Sequence, residues 1–160
     1  MNDCDALLQA VLREAGALGI PVSGSIDPRV RLNRRAARRF GCCRLREGVF
    51  EIEVAQRLAE GPEAGCRETL AHEVLHTCPG CRNHGKRWQG YAARMNAAWG
   101  YSISRTAAGE RLGVEELREP KYLLRCARCG TEFPRLRASR LTRHPECYRC
   151  RCGGPLTRVF

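Results

Sequence analysis

Two histidines one helical turn apart constrain this chain more than any other feature of its sequence. They are the ends of the segment His72-Glu73-Val74-Leu75-His76. Residues at positions i and i+4 lie on one face of an α-helix, so both imidazoles can bind the same Zn²⁺ ion. Glu73 follows the first histidine, where a carboxylate can take a proton from a zinc-bound water without binding the metal. The segment therefore predicts a helix that carries a catalytic zinc site.

A catalytic zinc site needs a third protein ligand and one open position. The chain has four histidines, and the two that remain are His84 and His144. His144 lies in a basic tail, whereas a turn at Pro79-Gly80 can bring His84 back to the metal. We therefore predict His84 as the third ligand, at the start of a second helix capped by Asn83.

Two cysteines, Cys78 and Cys81, lie between the second and third predicted ligands. A Cys-x-x-Cys pair is typical of redox-active thiols or of a pair of metal ligands. The alternative, which we prefer, is a turn whose thiols shape the loop under the metal site.

The other cysteine cluster lies near the C-terminus, where five of the eleven cysteines fall between residues 126 and 152. Without an apolar leader at the N-terminus we expect a reducing cytoplasmic location, where clustered cysteines are typical metal ligands. Cys126 and Cys129 form one pair, with the glycine of a tight turn after the second thiol. Spacing leaves the second pair open. We prefer Cys150 and Cys152 as the other structural zinc ligands, with Cys147 as the alternative to either.

Positive charge is concentrated in the same tail. The net charge is +11; residues 1–120 hold 18 basic and 15 acidic residues, and residues 121–160 hold 10 and 2. Arginine side chains bind phosphate in bidentate fashion, so we predict a nucleic-acid surface. Its members are Arg135, Arg137, Arg140, Arg143, Arg149 and Arg151. Phe133 and Tyr148 are candidates for base stacking.

A second group of arginines precedes the first predicted hairpin. It comprises Arg29, Arg31, Arg34, Arg35, Arg38 and Arg39. We expect this group either to continue the nucleic-acid track toward the histidines or to line a substrate groove.

Hydrophobic periodicity predicts an α+β fold with a separate metal-stapled module. Helices are expected at 6–17, 67–76 and 84–99, a strand at 29–33, and a hairpin from 40–45 and 49–54. Composition divides the chain into a domain at 1–106, a linker at 107–119 and a module at 120–160. No apolar run reaches the ~20 residues of a membrane helix, so we expect no membrane contact.

Several ordered segments together resemble the SprT-like family, the bacterial relatives of the Spartan DNA–protein crosslink proteases. They surround the histidine motif and continue to the C-terminus: Asn33-Arg34-Arg35-Ala36, Arg39-Phe40-Gly41-Cys42, Phe50-Glu51-Ile52-Glu53-Val54, Thr69-Leu70-Ala71, Asn83-His84-Gly85-Lys86-Arg87-Trp88, Asn96 with Gly100-Tyr101, and Tyr148-Arg149-Cys150-Arg151-Cys152-Gly153-Gly154. One residue separates the last two cysteines where the family usually has two.

The resemblance implies a zincin-like metalloprotease domain, with a small mixed or antiparallel sheet packed on the motif helix, followed by a C-terminal zinc ribbon that binds DNA. It implies one catalytic zinc held by the three histidines, one structural zinc, and Glu73 as catalytic acid and base. The implied substrates are DNA-associated proteins, and the expected location is the cytoplasm at the nucleoid. For Tyr101 and Arg105 we prefer packing and surface charge over a catalytic role.

Two alternatives stay open on the sequence alone. The first is a nucleic-acid-binding zinc protein without protease activity, although Glu73 has no purpose in a purely structural site. The second is a zinc hydrolase whose substrate is not a peptide.

Overall fold

The computed structural model of the chain describes residues 1–114 and 119–160. They belong to two units, Met1–Glu115 and Glu116–Phe160, and each unit combines short helices with a three-stranded sheet. The α+β class expected from the sequence is therefore confirmed.

The first unit contains the predicted helices and strands with shifted bounds. Its elements are α1 (Cys4–Ala17), β1 (Arg31–Asn33), β2 (Gly41–Arg46), β3 (Val49–Ala55), α2 (Gln56–Glu60), α3 (Glu63–Leu75), α4 (Lys86–Trp99) and α5 (Gly109–Leu112). The short helix α5 lies within the predicted linker 107–119, of which residues 115–118 lie outside the described residues.

The sheet of the first unit is mixed, with the order β1-β3-β2. Strand β1 runs parallel to β3, and β2 pairs with β3 in antiparallel register from Gly41 opposite Val54 to Arg46 opposite Val49. A two-residue turn at Glu47 and Gly48 joins the hairpin, and both residues have positive φ, as a turn matched to the strand twist requires. Strand β2 therefore forms one edge of the sheet, and its first residue lies at the end of the hairpin opposite the turn.

Helix α3 is the central element of this unit. Most of its residues are buried, including the polar Thr69 and Glu73, because it packs against α1, α4 and two strands of the sheet. The surrounding core is aliphatic apart from Trp88: Leu8, Val11, Ala15, Ile52, Val54, Leu70, Val74, Trp88 and Met95. The packing places the histidine motif on the least mobile type of element, a helix enclosed by a core.

Helix α4 begins two residues later than predicted. Its first residue is Lys86, and Gly85 occupies the N-cap position without a side-chain hydrogen bond. The prediction that Asn83 caps a helix starting at His84 is therefore wrong. His84 belongs to the loop that precedes the helix, where the backbone is free to turn its imidazole toward α3.

The second unit is a smaller three-stranded antiparallel sheet in the order β5-β4-β6. Its elements are β4 (Tyr122–Cys126), β5 (Glu132–Arg135), α6 (Arg140–Arg143), a 3₁₀ turn (Pro145–Cys147) and β6 (Leu156–Arg158). Leu124 is fully buried, and Phe133 and Leu141 pack against a core of Cys126, Cys150 and Leu156. Two of the residues in this core are cysteines, so part of the cysteine cluster belongs to the core of the unit.

Among the described residues, no helix combines the length and apolar character needed to cross a bilayer.

Candidate metal centres

Three imidazoles converge at the end of α3. His72 lies in the last turn of the helix, His76 is the residue that caps it, and His84 comes from the loop before α4. The Nε2 atom of His84 lies 2.9 Å from that of His72 and 3.2 Å from that of His76. The structure thus brings together all three histidines that the sequence analysis selected as ligands.

Hydrogen bonds on the outer side of the rings orient these nitrogens. The Nδ1 atom of His76 lies 2.8 Å from the carbonyl oxygen of Cys81. A carbonyl only accepts, so Nδ1 donates and Nε2 keeps its lone pair for the cluster when the imidazole is neutral. The backbone of Ser104 hydrogen-bonds His72, while burial and the charges of the other two imidazoles lower the pKa of His72 to about 4. His72 is therefore neutral at pH 7, which is the state that binds a metal.

Trp88 forms the wall behind the cluster. Its ring centroid lies 4.7, 5.6 and 4.6 Å from those of His72, His76 and His84, and the residue is only 1% exposed. Its indole N–H has no hydrogen-bond partner among the described residues. The contact of Trp88 with all three imidazoles depends on where the loop places His84.

Glu73 lies beside the cluster and is almost fully buried. Burial raises the pKa of Glu73 to about 8, against the charge of Arg39 and a backbone hydrogen bond from Cys43. A carboxyl group whose pKa lies near neutrality can both accept and release a proton at physiological pH. The residue selected as acid and base therefore has an environment that suits proton transfer.

The carboxyl group of Glu73 packs directly against the start of β2, a contact that the sequence analysis missed. A Cβ atom on Gly41 would lie 2.6 Å from Oε1 of Glu73 and 2.8 Å from Cγ2 of Thr69. Both distances are shorter than van der Waals contact, so the backbone of β2 reaches the carboxylate only because residue 41 is glycine. The local sequence does not show that Gly41 meets Glu73. A glycine in a strand can indicate that another part of the protein approaches its backbone closely, and this signal was available.

Replacing Gly41 with alanine should lower the free energy of unfolding of the first unit by about 1–3 kcal/mol, since the added methyl group overpacks this contact. Gly90→Ala in α4 is the matched control. A Cβ there meets nothing within 4 Å, and alanine in a helix should stabilise by about 0.5–1 kcal/mol. Urea unfolding followed by tryptophan fluorescence measures both variants, because the two tryptophans, Trp88 and Trp99, lie in this unit. Changes of the same sign in both variants would contradict the contact.

An open cleft of about 270 Å³ is lined by His72 and Glu73. Its lining also includes Gly41 at the start of β2, Glu68 of α3, and Arg105. A second opening on the His84 side shares Arg105 and Thr106 with the first. The metal site is therefore reachable by a substrate larger than water.

Tyr101 and Arg105 have different environments. The hydroxyl of Tyr101 accepts from Nε of Arg67 at 2.9 Å and donates to Glu14 on α1, and Arg67 also forms an ion pair with Glu14. This arrangement gives Tyr101 the packing role that we preferred. Arg105 lines both openings to the metal site.

The thiols of Cys78 and Cys81 are buried and, among the residues the structure describes, belong to neither ligand cluster. Burial raises the pKa of Cys78 to about 12, so this thiol stays protonated. The carbonyl of Cys81 is the acceptor for His76. These contacts favour the interpretation of the pair as loop structure under the metal site.

The second cluster contains Cys126, Cys129, Cys150 and Cys152. The Sγ atoms of Cys126 and Cys152 lie 3.5 Å apart, and those of Cys129 and Cys150 lie 3.6 Å apart. Hydrogen bonds from the side chain and backbone of Thr131 lower the pKa of Cys129 to about 6, which favours the thiolate that binds metals. Of the two options for the second pair, the structure groups Cys150 with Cys152.

Cys147 is exposed and lies outside this cluster. It ends the 3₁₀ turn that precedes the pair. A tight turn explains why Cys152 joins Cys150 in the cluster. The N–H of Gly153 donates to the carbonyl of Cys150 at 2.8 Å, and Gly153 has a φ of +84°. The turn directs Cys150 and Cys152 to the same side despite the single residue between them.

All six arginines that were predicted to bind nucleic acid are exposed: Arg135, Arg137, Arg140, Arg143, Arg149 and Arg151. Within the described part of the second unit, the ion pairs join Arg125 to Glu132 and His144 to Glu146, so the six are free of acidic partners there. Tyr148 is exposed, whereas Phe133 packs in the small core. Of the two aromatic candidates for stacking, Tyr148 is the more exposed and Phe133 is partly buried.

Two members of the arginine group that precedes the hairpin form ion pairs within the first unit. Arg31 pairs with Glu51 at 2.7 Å and Arg39 with Glu53 at 2.8 Å, and Arg34 donates to the side chain of Gln56. Arg38 and Arg39 line the cleft at the metal site. This position agrees with the second of the two expectations, a substrate groove, which stays a prediction.

Comparison with known families agrees with the site. The family model described as SprT-like matches residues 22–107, more than half of the chain, and this range includes Gly41, Glu73 and the three histidines. A comparison with curated proteins finds no significant match. On this evidence the chain belongs to the SprT-like family.

Proposed function

We propose that this protein is a zinc metallopeptidase that hydrolyses DNA-associated proteins. Membership of the SprT-like family suggests metallopeptidase-like activity. The observation that carries the proposal is the convergence of three imidazoles beside one buried carboxyl group. That carboxyl group belongs to Glu73, which lies on α3 next to His72. We further propose that the first unit is a zincin-like domain and the second a zinc ribbon, with the domains at 1–106 and 120–160 joined by a linker at 107–119.

The donor atoms of both clusters suit zinc. Tetrahedral zinc with Zn–N bonds of about 2.0–2.1 Å separates its nitrogens by about 3.3 Å, and Zn–S bonds of about 2.3 Å separate sulfurs by about 3.8 Å. The Nε2 distances of 2.9 and 3.2 Å and the Sγ distances of 3.5 and 3.6 Å are close to these values. His72, His76 and His84 would hold the catalytic ion, and Cys126, Cys129, Cys150 and Cys152 the structural one.

When bound by three imidazoles, zinc supplies Lewis acidity that lowers the pKa of a coordinated water and polarises a carbonyl. Glu73 then has the central role among the residues of the chain. Its carboxylate accepts the proton of the attacking water and returns it to the nitrogen of the leaving amine. Trp88 and the Cys81 carbonyl keep the imidazoles in place, so that little reorganisation accompanies the reaction.

The edge strand β2 supports a peptide as the substrate. Among the described residues its pairing partner in the sheet is β3, so its outer edge offers backbone N–H and C=O groups to an extended chain, apart from the N–H of Cys43, which hydrogen-bonds Glu73. Since Gly41 begins β2 and touches Glu73, a peptide paired with this edge passes the carboxyl group. A substrate without a peptide backbone gains nothing from that arrangement.

The exposed arginines of the second unit support DNA as the partner that recruits the enzyme. Six guanidinium groups without acidic partners in the described part of this unit suit the phosphates of nucleic acid, and the exposed ring of Tyr148 suits an unpaired base. Binding through this surface should weaken steeply as salt increases.

The proposal predicts cleavage of a protein crosslinked to single-stranded DNA, at a higher rate than of the same protein without DNA. Chelation should stop the reaction, and added zinc should restore it; gel electrophoresis of the substrate measures both. The double variant Arg140→Glu/Arg143→Glu should lose the stimulation by DNA and keep the basal rate. DNA binding without cleavage by the zinc-loaded protein would contradict the peptidase proposal and support the nucleic-acid-binding alternative.

A further inference from the structure

The cleft at the metal site carries an excess of positive charge. Four of its lining residues are arginines, Arg38, Arg39, Arg105 and Arg111, and two are glutamates. Glu73 is buried, and Glu68 forms an ion pair with Arg111. Neither glutamate is therefore available to balance the remaining arginines.

Two of the arginines stand out once internal ion pairs are assigned. Arg39 is held by Glu53, but Arg38 and Arg105 are exposed and have no acidic partner within the described residues of this unit. Arg105 lines the cleft beside His72 and Glu73 and also the second opening beside His84. Arg105 therefore borders the histidine cluster on both sides.

We propose that the cleft selects substrates with a carboxylate close to the scissile bond, and that Arg105, assisted by Arg38, determines this specificity. The inference rests on the proposed peptidase function. Arginine binds carboxylates with two parallel hydrogen bonds. Such a pair close to the scissile bond would hold that bond in the position needed for reaction.

A carboxylate is favoured over a phosphate at this position. Arg105 lines the same cleft as His72 and Glu73, so under the proposed function a phosphodiester bound to Arg105 would compete with the peptide for this cleft. The six exposed arginines of the second unit already offer phosphates a separate surface. We therefore expect cuts in acidic segments of a DNA-bound protein and not in its basic, DNA-contacting segments.

The carboxylate has two sources, an Asp or Glu side chain and the C-terminus of the substrate. Quenched-fluorescence peptides that differ only by Glu, Gln or Lys next to the scissile bond, each with a free or an amidated C-terminus, separate them. A side-chain carboxylate predicts kcat/KM about fivefold higher for Glu than for Gln, with Lys lowest, whatever the C-terminus. Dependence on the free C-terminus alone would assign the site to that group.

Charge reversal tests the assignment. Arg105→Glu should invert the order, with the Lys peptide preferred, while Arg13→Glu on the exposed face of α1 should leave it unchanged. The inference is wrong if the Glu, Gln and Lys peptides, with free and with amidated C-termini, are all cleaved equally, or if Arg105→Glu keeps the wild-type preference for the carboxylate peptide.

A binding measurement separates this inference from the proposed function. Fluorescence anisotropy of the same peptides on zinc-loaded protein needs no turnover, and the Glu peptide should bind about fivefold more weakly to Arg105→Glu than to wild type. If Arg105→Glu binds the Glu peptide more weakly and wild type cleaves none of the peptides, the peptidase function is contradicted and the carboxylate site is supported. Equal binding of all peptides, together with loss of single-stranded DNA binding in Arg105→Glu, would overturn the carboxylate site in favour of nucleic acid.

Discussion

Removal of metal should unfold the second unit and leave the first unit folded. The described hydrophobic core of the second unit is small and includes two of the four clustered cysteines, so little apolar area remains to offset the entropy of folding. Metal binding by four cysteines supplies about 10–16 kcal/mol in small zinc domains. Without metal, thiolates less than 4 Å apart would repel one another.

Hydrogen exchange of the full-length protein with and without chelator measures this effect. Amides of β4 and β6 should lose protection, whereas those of α1 and α3 should keep it, because the first unit has an extensive apolar core. Cys150→Ser should reproduce the loss in the second unit without chelator, and Cys147→Ser, at an exposed cysteine outside the cluster, should not. Protected strands in the metal-free second unit would show that its core is sufficient.

The different outcomes for the two clusters show which parts of a site can be read from sequence. The pair His72 and His76 depends on helical spacing alone, and only one other histidine had a workable loop. Cysteine spacing left two options for the second cluster, because it does not specify the backbone turn that directs Cys150 and Cys152 to one side. Local rules therefore predicted all three residues of the histidine cluster, but they left the second pair of the cysteine cluster undecided.

Contacts between distant segments could not be predicted. Gly41 and Glu73 meet because the hairpin packs on α3, and that packing is not encoded near either residue. Likewise, the start of α3 at Glu63 was missed. A glycine in its first turn argues against a helix, but there a Cβ would meet the backbone of Leu112, so Gly65 serves packing with α5.

Glu73→Gln should reduce peptide hydrolysis by about 10²–10⁴-fold, the largest catalytic effect that we expect from any single substitution. The amide has nearly the shape of the carboxylate, so it can keep the contact with Gly41 and the hydrogen bond from Cys43. It cannot take a proton from water. Zinc content and peptide affinity should therefore remain at the level of wild type, and the loss should fall on kcat and not on KM.

Glu68→Gln is the matched control, because Glu68 lies on the same helix and in the same cleft. This change removes the ion pair with Arg111, a contact near the surface that is worth about 1 kcal/mol or less, so kcat should change by about fivefold at most. Burial already penalises the charge of Glu73, and a neutral amide removes that penalty; the free energy of unfolding should then not fall. Equal losses of kcat in the two variants, or loss of zinc from Glu73→Gln, would assign Glu73 a structural role and leave the histidine site without its proton acceptor.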